Sequence, residues 1–213
     1  MSGERTYGGA SAQQRHDERR ERLIRAVFDL LATDGTTGLT IRKVAVTAGV
    51  SPRYVYEDFT DLDDLRCQSF DSAAEEITGL VLDAVADLPP DPRVQLTAVF
   101  DAGARFAVEQ PHKARFLLAD SFGDPVLAQR RQRVSDTFAV GFSFYVRDYL
   151  PDPDAPGPAV ELAARMLVGA ATEIFTSWLN GSLKYSRQQL VDDMVDLFLG
   201  PINALTRIHH DTR

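Results

Sequence analysis

The run Ser51–Phe59 (SPRYVYEDF) carries six side chains able to meet a polar partner, four of them the Arg53 guanidinium, the Tyr54 phenol and the Glu57 and Asp58 carboxylates. Val55 and Phe59 lie i, i+4 apart and turn inward, which faces those four outward or sideways and leaves Tyr56 on a flank. Ser51 is placed to cap this short helix, and Pro52 fits its first turn, where a missing N–H costs nothing. A second short helix precedes it. Thr40 caps that one, Ile41, Val44 and Ala45 form its buried face, and Gly49 ends it in a left-handed conformation without a Cβ clash. Two short helices about a tight glycine turn make a helix-turn-helix, whose second helix is sized for the major groove of DNA. Any two short helices around a glycine share this outline, so the flanking sequence has to decide.

Other chemistries find little support. There is no Gly-rich phosphate loop, no nucleophile–base–orienter spacing and no metal-ligand spacing, so neither an enzyme nor a resident metal or cofactor is expected. Isolated His112, His209 and His210 lack metal-ligand spacing, with His209-His210 near the terminus reading as solvated, and the lone Cys67 excludes an internal disulfide and reads as a small buried side chain. No apolar run approaches the ~20 residues of a membrane span, and the opening MSGERTYGGASAQQ lacks a signal peptide's apolar stretch. A cytoplasmic protein without a membrane partner is expected. Hydrophobic content of 44% and charged content of 25% are ordinary for a globular chain of 213 residues. The net charge of −8 opposes nucleic acid, but its distribution matters more. Residues 1–60 hold nine Arg/Lys against eight Asp/Glu, and residues 61–213 hold 14 against 23. The acid lies outside the motif, although one excess cation is a weak footprint for DNA.

Everything around the motif reads as helix. Arg15, Arg19, Arg20 and Arg22 open a helix with apolar Leu23, Val27, Leu30 and Leu31; the arginines are either a solvated face balanced by Asp17, Glu18 and Glu21 or an arm near phosphates. Asp34-Gly35 stops it. Asp61 caps a long helix with Ala73, Ile77, Leu80 and Ala84 inward, broken at Leu88–Pro92. Further helices are expected from Arg93, over Pro111–Leu118, from Asp124-Pro125 with Val134, Phe138, Phe142, Tyr145 and Tyr149 on one face, over Ala159–Leu179 and over Arg187–Leu205. Pro151–Pro158 is a linker. The last helix is apolar on two stripes, which calls for partners on two sides, in a second subunit or within the chain.

The chain resembles the tetracycline-repressor (TetR-like) family of bacterial transcription regulators over essentially its whole length. The matches run through Phe28–Leu31, Gly35, Leu39–Ala45, Ala48-Gly49-Val50-Ser51, Val55-Tyr56, Phe59 and Leu65, with Thr176–Gly181 before Leu190–Phe198 resembling the family's closing helix pair. The resemblance implies an all-α fold of about nine helices. Residues 1–14 would be a disordered tail, 15–60 a three-helix DNA-binding module, and 61–213 a helical ligand-binding and dimerisation domain. It also implies a homodimer on a palindromic double-stranded operator, released by a small-molecule effector.

Roles follow from the same likeness. Thr40 and Arg42 would touch phosphates or a base edge, Lys43 and Tyr56 the backbone, and Ser51, Arg53 and Tyr54 would open the recognition helix. Arg53 is the candidate for pairing with guanine. A pocket among the middle helices would draw on Phe100, Phe106, Phe138, Phe142, Tyr145 and Met166, unless these aromatics are plain core, with Arg105 and Glu173 either fixing a polar group or sitting on a wet face; an aromatic-rich wall implies an apolar, planar effector. The dimer face would use Ala171, Phe175, Trp178, Val191, Met194, Val195 and Phe198. Two departures stand out: Leu62 replaces a phosphate-gripping lysine, and Glu57 and Asp58 face a polyanion. They predict modest affinity or greater reliance on the Arg-rich first helix. The competing reading is a dimeric small-molecule-binding or scaffold protein with a weakened DNA motif.

Overall fold

Helix breaks and caps written into the sequence set the element order. The computed structural model describes residues 12–147 and 158–211, with side chains for 13–146 and 158–202. The expectations for the first eleven residues, Tyr149, the linker before Pro158, and the His209 and His210 side chains lie outside the described residues. Nine α-helices and no strand occur among the described residues: α1 Ala12–Asp34, α2 Ile41–Thr47, α3 Pro52–Asp58, α4 Leu62–Val85, α5 Pro92–Glu109, α6 Pro111–Arg115, α7 Ala128–Arg147, α8 Pro158–Leu179 and α9 Arg187–Asp211. A 3₁₀ turn, Thr36–Gly38, precedes α2, and a π-helical turn, Phe116–Asp120, follows α6.

Caps explain most of the boundaries. The Lys43 amide donates to Thr40 Oγ1 at 3.2 Å, the Asp64 amide to Asp61 Oδ1 at 2.8 Å and the Val94 amide to Asp91 Oδ1 at 3.0 Å, each quieting an orphan donor of a first turn. A reciprocal capping box opens α9: Gln189 N–H donates to Ser186 Oγ at 3.3 Å, while Ser186 N–H donates to Gln189 Oε1 at 3.2 Å. Asp124 does not open α7. Its carboxylate accepts from the Val126 amide at 2.9 Å within a separate turn, and the helix starts at Ala128. At the far end α9 continues through Pro201 to Asp211, beyond the expected stop at Leu205.

The chain divides into two compact units, Met1–Ser69 and Phe70–Arg213, with the division inside α4. The reason lies in α4's first two turns. Leu65 is fully buried and Gln68 accepts a hydrogen bond from Arg20 of α1, so these turns belong to the small unit. That unit's core is Leu23, Val27, Leu30 and Leu31 of α1, Val44 and Ala45 of α2, Val55 of α3, and Phe59.

The larger unit is built on antiparallel α5 and α9, tied by Arg93–Asp196 at 2.8 Å and Arg187–Asp101 at 3.0 Å. Leu96, Phe100 and Ala104 of α5 meet Val160, Ala163 and Leu167 of α8 and Leu190, Val191, Met194, Val195, Phe198 and Ile202 of α9. The Phe100 and Phe198 rings sit edge to face at 4.8 Å, a preferred aromatic geometry. Both apolar stripes of α9 are therefore largely covered within the chain, the second of the two sources weighed from sequence. Leu197 alone of the residues named for those stripes stays well exposed, at 68%. Leu80 departs from its stripe as well: the buried side of α4 is set by Phe70, Ala73 and Ala74, and Leu80 is exposed.

Candidate nucleic-acid interface

The turn between α2 and α3 fixes how the second helix leaves the first. Gly49 has φ 67°, the left-handed conformation that an L side chain resists. The Val50 amide then reaches back to the Ala45 carbonyl at 2.9 Å and the Gly49 amide to Val46 at 3.1 Å, the paired bonds of a Schellman end. Ser51 follows with extended backbone, and Pro52 starts α3. The Ser51 hydroxyl makes no capping bond, against expectation; the Tyr54 amide goes to the Ser51 carbonyl at 3.0 Å instead. Val55 is fully buried, as the spacing requires.

Thr40, Arg42, Lys43, Ser51, Arg53, Tyr54 and Tyr56 are all exposed, on one pair of helices and the turn between them. Arg53 has 86% of its side chain accessible and a 3.3 Å i, i+4 contact to Glu57. An exposed pair of that kind is worth only ~0.3–0.5 kcal/mol, so it holds the guanidinium loosely. Lys43 is more committed: its ammonium lies 2.6 Å from Asp34 Oδ2. With the Thr33 hydroxyl, that bond holds the Asp34 carboxyl below the ordinary carboxylate range.

Asp58 does not face outward. Its side chain is 0% exposed and is gripped by Arg19 of α1, Nε to Oδ2 and Nη2 to Oδ1, both at 2.7 Å. His16 Nδ1 adds a contact at 2.9 Å to Oδ1. The bond to Asp58 raises the Arg19 guanidinium above its already high ordinary pKa. The same guanidinium lies 4.9 Å from the Tyr54 ring centroid and 3.7 Å from Glu57 Oε2. Asp58 is thus closely paired and turned away from a polyanion, while Glu57 stays on the surface within 3.3 Å of Arg53 and 3.7 Å of Arg19. Sequence reasoning missed the Arg19–Asp58 pair because its members stand 39 positions apart and no local period links them.

The α1 arginines split between structure and surface. Arg20 bonds Gln68 and stacks 5.5 Å from the Phe59 ring. Arg15, Arg19, Arg22 and Arg25, with Glu18 and Glu21, line an open groove of about 830 Å³ against Gly49, Val50, Ser51 and Tyr54. With Arg19 paired to Asp58, three arginines and two glutamates remain along this groove beside the head of α3.

The residues named for an effector separate into interior and surface. Phe100 and Phe106 are buried, Phe138, Phe142 and Tyr145 are half-buried on α7, and the Phe142 and Tyr145 rings lie 6.4 Å apart. Met166 is exposed, and so are Arg105, paired with Asp101 at 3.4 Å, and Glu173, which accepts from Ser177 at 2.8 Å. Arg105 and Glu173 thus sit on wet faces, the second of the two readings their spacing allows.

Of the residues named for a dimer face, Val191, Met194, Val195 and Phe198 are buried in the chain's own core. Phe175 is half-buried with its ring over Gly103, where a Cβ would lie 3.1 Å from the ring edge. Ala171 and Trp178 are half-buried as well. Among the described residues no group of three or more His, Cys, Asp or Glu could hold a metal, and no helix is long and apolar enough to cross a membrane.

No family model matches the sequence. The chain is 32% identical over 168 residues to the HTH-type transcriptional regulator BetI of Stenotrophomonas maltophilia, covering 78% of this chain and 82% of that protein. Among solved structures, a transcriptional regulator from Pseudomonas aeruginosa superposes with a TM-score of 0.74 at 17% identity, over 91% of this chain and 94% of that one. A TetR-family regulator from Streptomyces coelicolor gives 0.72 at 20% identity, over 92% and 89%. FadR of Bacillus subtilis, solved with stearoyl-CoA, gives 0.72 at 17% identity, over 84% and 96%. The all-helical architecture, the helix-turn-helix at its head and the similarity to BetI along most of both chains lead to one assignment: the chain belongs to the TetR family of transcriptional regulators.

Proposed function

We propose that this regulator acts in the cytoplasm as a repressor, gripping a palindromic duplex operator as a homodimer and letting go when a small apolar effector occupies the larger unit. The observation that carries the proposal is the exposed row Arg42, Ser51, Arg53, Tyr54 and Tyr56, whose neighbouring acids are already paired. Arg53 reads a base edge, bidentate to guanine, and Ser51, with its hydroxyl outside the helix cap, joins Thr40 and Tyr56 on phosphates. With Arg19 committed to Asp58, Arg15, Arg22 and Arg25 along the α1 groove supply the cationic component. Lys43 joins them once it leaves Asp34.

For the dimer, α8 offers Leu162, Met166 and Gly169 on one exposed stripe and α9 offers Leu197, beside half-buried Ala171 and Trp178. A Cβ at Gly169 would meet nothing within 4 Å in its own chain, so a second helix could approach there closely. For the effector, the half-buried aromatics of α7 and the long acyl chain of the stearoyl-CoA held by FadR both favour a molecule with a large apolar part.

Selection from a random 30-base-pair duplex library, followed by gel shift of the winner and of the chain's own upstream DNA at several salt concentrations, tests the reading. A palindromic consensus bound at two subunits per duplex is expected, and addition of stearoyl-CoA or a planar aromatic acid should weaken it. Failure to enrich any sequence, with wild-type folding intact, would leave the small-molecule-binding or scaffold alternative standing.

A further inference from the structure

The recognition helix α3 spans seven residues, too few to hold its own shape or orientation by backbone hydrogen bonds alone. Val55 within it and Phe59 just after it are its fully buried apolar anchors. Against that background the burial of Asp58 is notable, since an ionised carboxylate is costly to bury unless it is closely paired. Arg19 meets it with both arms of its fork, and His16 lies on the third side. Arg19 also touches Tyr54 in the first turn of α3 and Glu57 in the second. One guanidinium, rooted on α1, thus contacts positions 54, 57 and 58, spanning nearly the whole helix. Contacts at both ends fix the rotation of α3 about its own axis and the seat of the Tyr54 ring.

From this geometry we infer that Arg19 and Asp58 are positioning residues for sequence readout: the buried fork sets the rotation of α3, and so decides which duplex is preferred rather than how tightly DNA in general is held. The inference rests on the proposal that α3 reads DNA. It separates from a purely structural role because a buried ion pair replaced by apolar groups of similar volume often leaves a fold as stable or more so. It separates from a charge effect because removing one cation and one anion together leaves the net charge unchanged.

The test is the double variant Arg19→Met with Asp58→Leu, compared with wild type on the duplex selected from the random library and on a scrambled duplex of the same composition. Expected is a melting temperature within a few degrees of wild type, an unchanged salt dependence on the scrambled duplex, and at least a tenfold fall in the ratio of selected to scrambled affinity. An unchanged ratio in a folded double variant would overturn the inference. Arg19→Lys, which keeps the charge and loses the fork, guards against a double variant that does not fold. Amide exchange in the free Lys variant should quicken over residues 52–59 while 41–47 hold steady, and equal protection of both segments would count against the idea. Should wild type select no duplex, the DNA-reading proposal fails, while the exchange measurement still decides whether the fork orders α3.

Discussion

At the scale of single residues, the cations near α3 are graded by how firmly each is held. Arg19 is locked, Lys43 is held by one surface carboxylate, and Arg53 is nearly free. Asp34→Ala therefore releases Lys43, and binding to any duplex should strengthen severalfold, with a salt slope steeper by about one unit. A titration of affinity against salt reads both. The pairing also carries a sign in pH. Because the Asp34 carboxyl is depressed, its contribution to stability is present above the ordinary aspartate value of about 4 and is lost as pH falls through the lower folded value. A carboxyl chemical-shift titration should place the Asp34 midpoint lower than in the Lys43→Ala variant. Arg53→Ala should cost about 1–3 kcal/mol of discrimination at one base pair and leave the melting temperature unmoved, since its side chain covers nothing. Competition between the selected duplex and its single-base variants would show it.

At the scale of elements, two serines at equivalent positions behave differently. Ser186 closes a capping box with Gln189, whereas Ser51 leaves its hydroxyl out of the cap. Ser186→Ala should cost roughly 1 kcal/mol of stability, and Ser51→Ala far less while weakening DNA binding. Thermal unfolding of the two variants side by side makes the comparison. The pair also shows what the sequence discloses. Thr40, Gly49 and Pro52 act within four residues of themselves, so their caps and turn could be read directly, and Val44, Ala45 and Val55 announced their burial by period. Asp58 could not be read: its neighbours in sequence suggest a rim, and its true partner lies on a helix many turns earlier. Periodicity likewise identified the apolar sides of α9 without disclosing what covers them, because α5 meets that helix from nearly a hundred positions away.

At the scale of the whole molecule, the core and the proposed dimer face draw on different sides of the same helix. Phe198 and Val195 are buried against α5 and α8, while Leu197 between them points out. Leu197→Glu should leave the monomer folded and shift the population toward single subunits, with loss of tight binding to a palindrome. Light scattering coupled to size exclusion would report it, and an unchanged dimer would move the face elsewhere. Trp178 lies on the neighbouring helix, donating from its indole to the Tyr185 carbonyl at 2.9 Å across the α8–α9 connection. It is the chain's sole tryptophan. The molecule therefore has a native fluorophore at that corner: a red shift in its emission would signal the corner opening to water, and a blue shift its closure under a second subunit, with no dye attached.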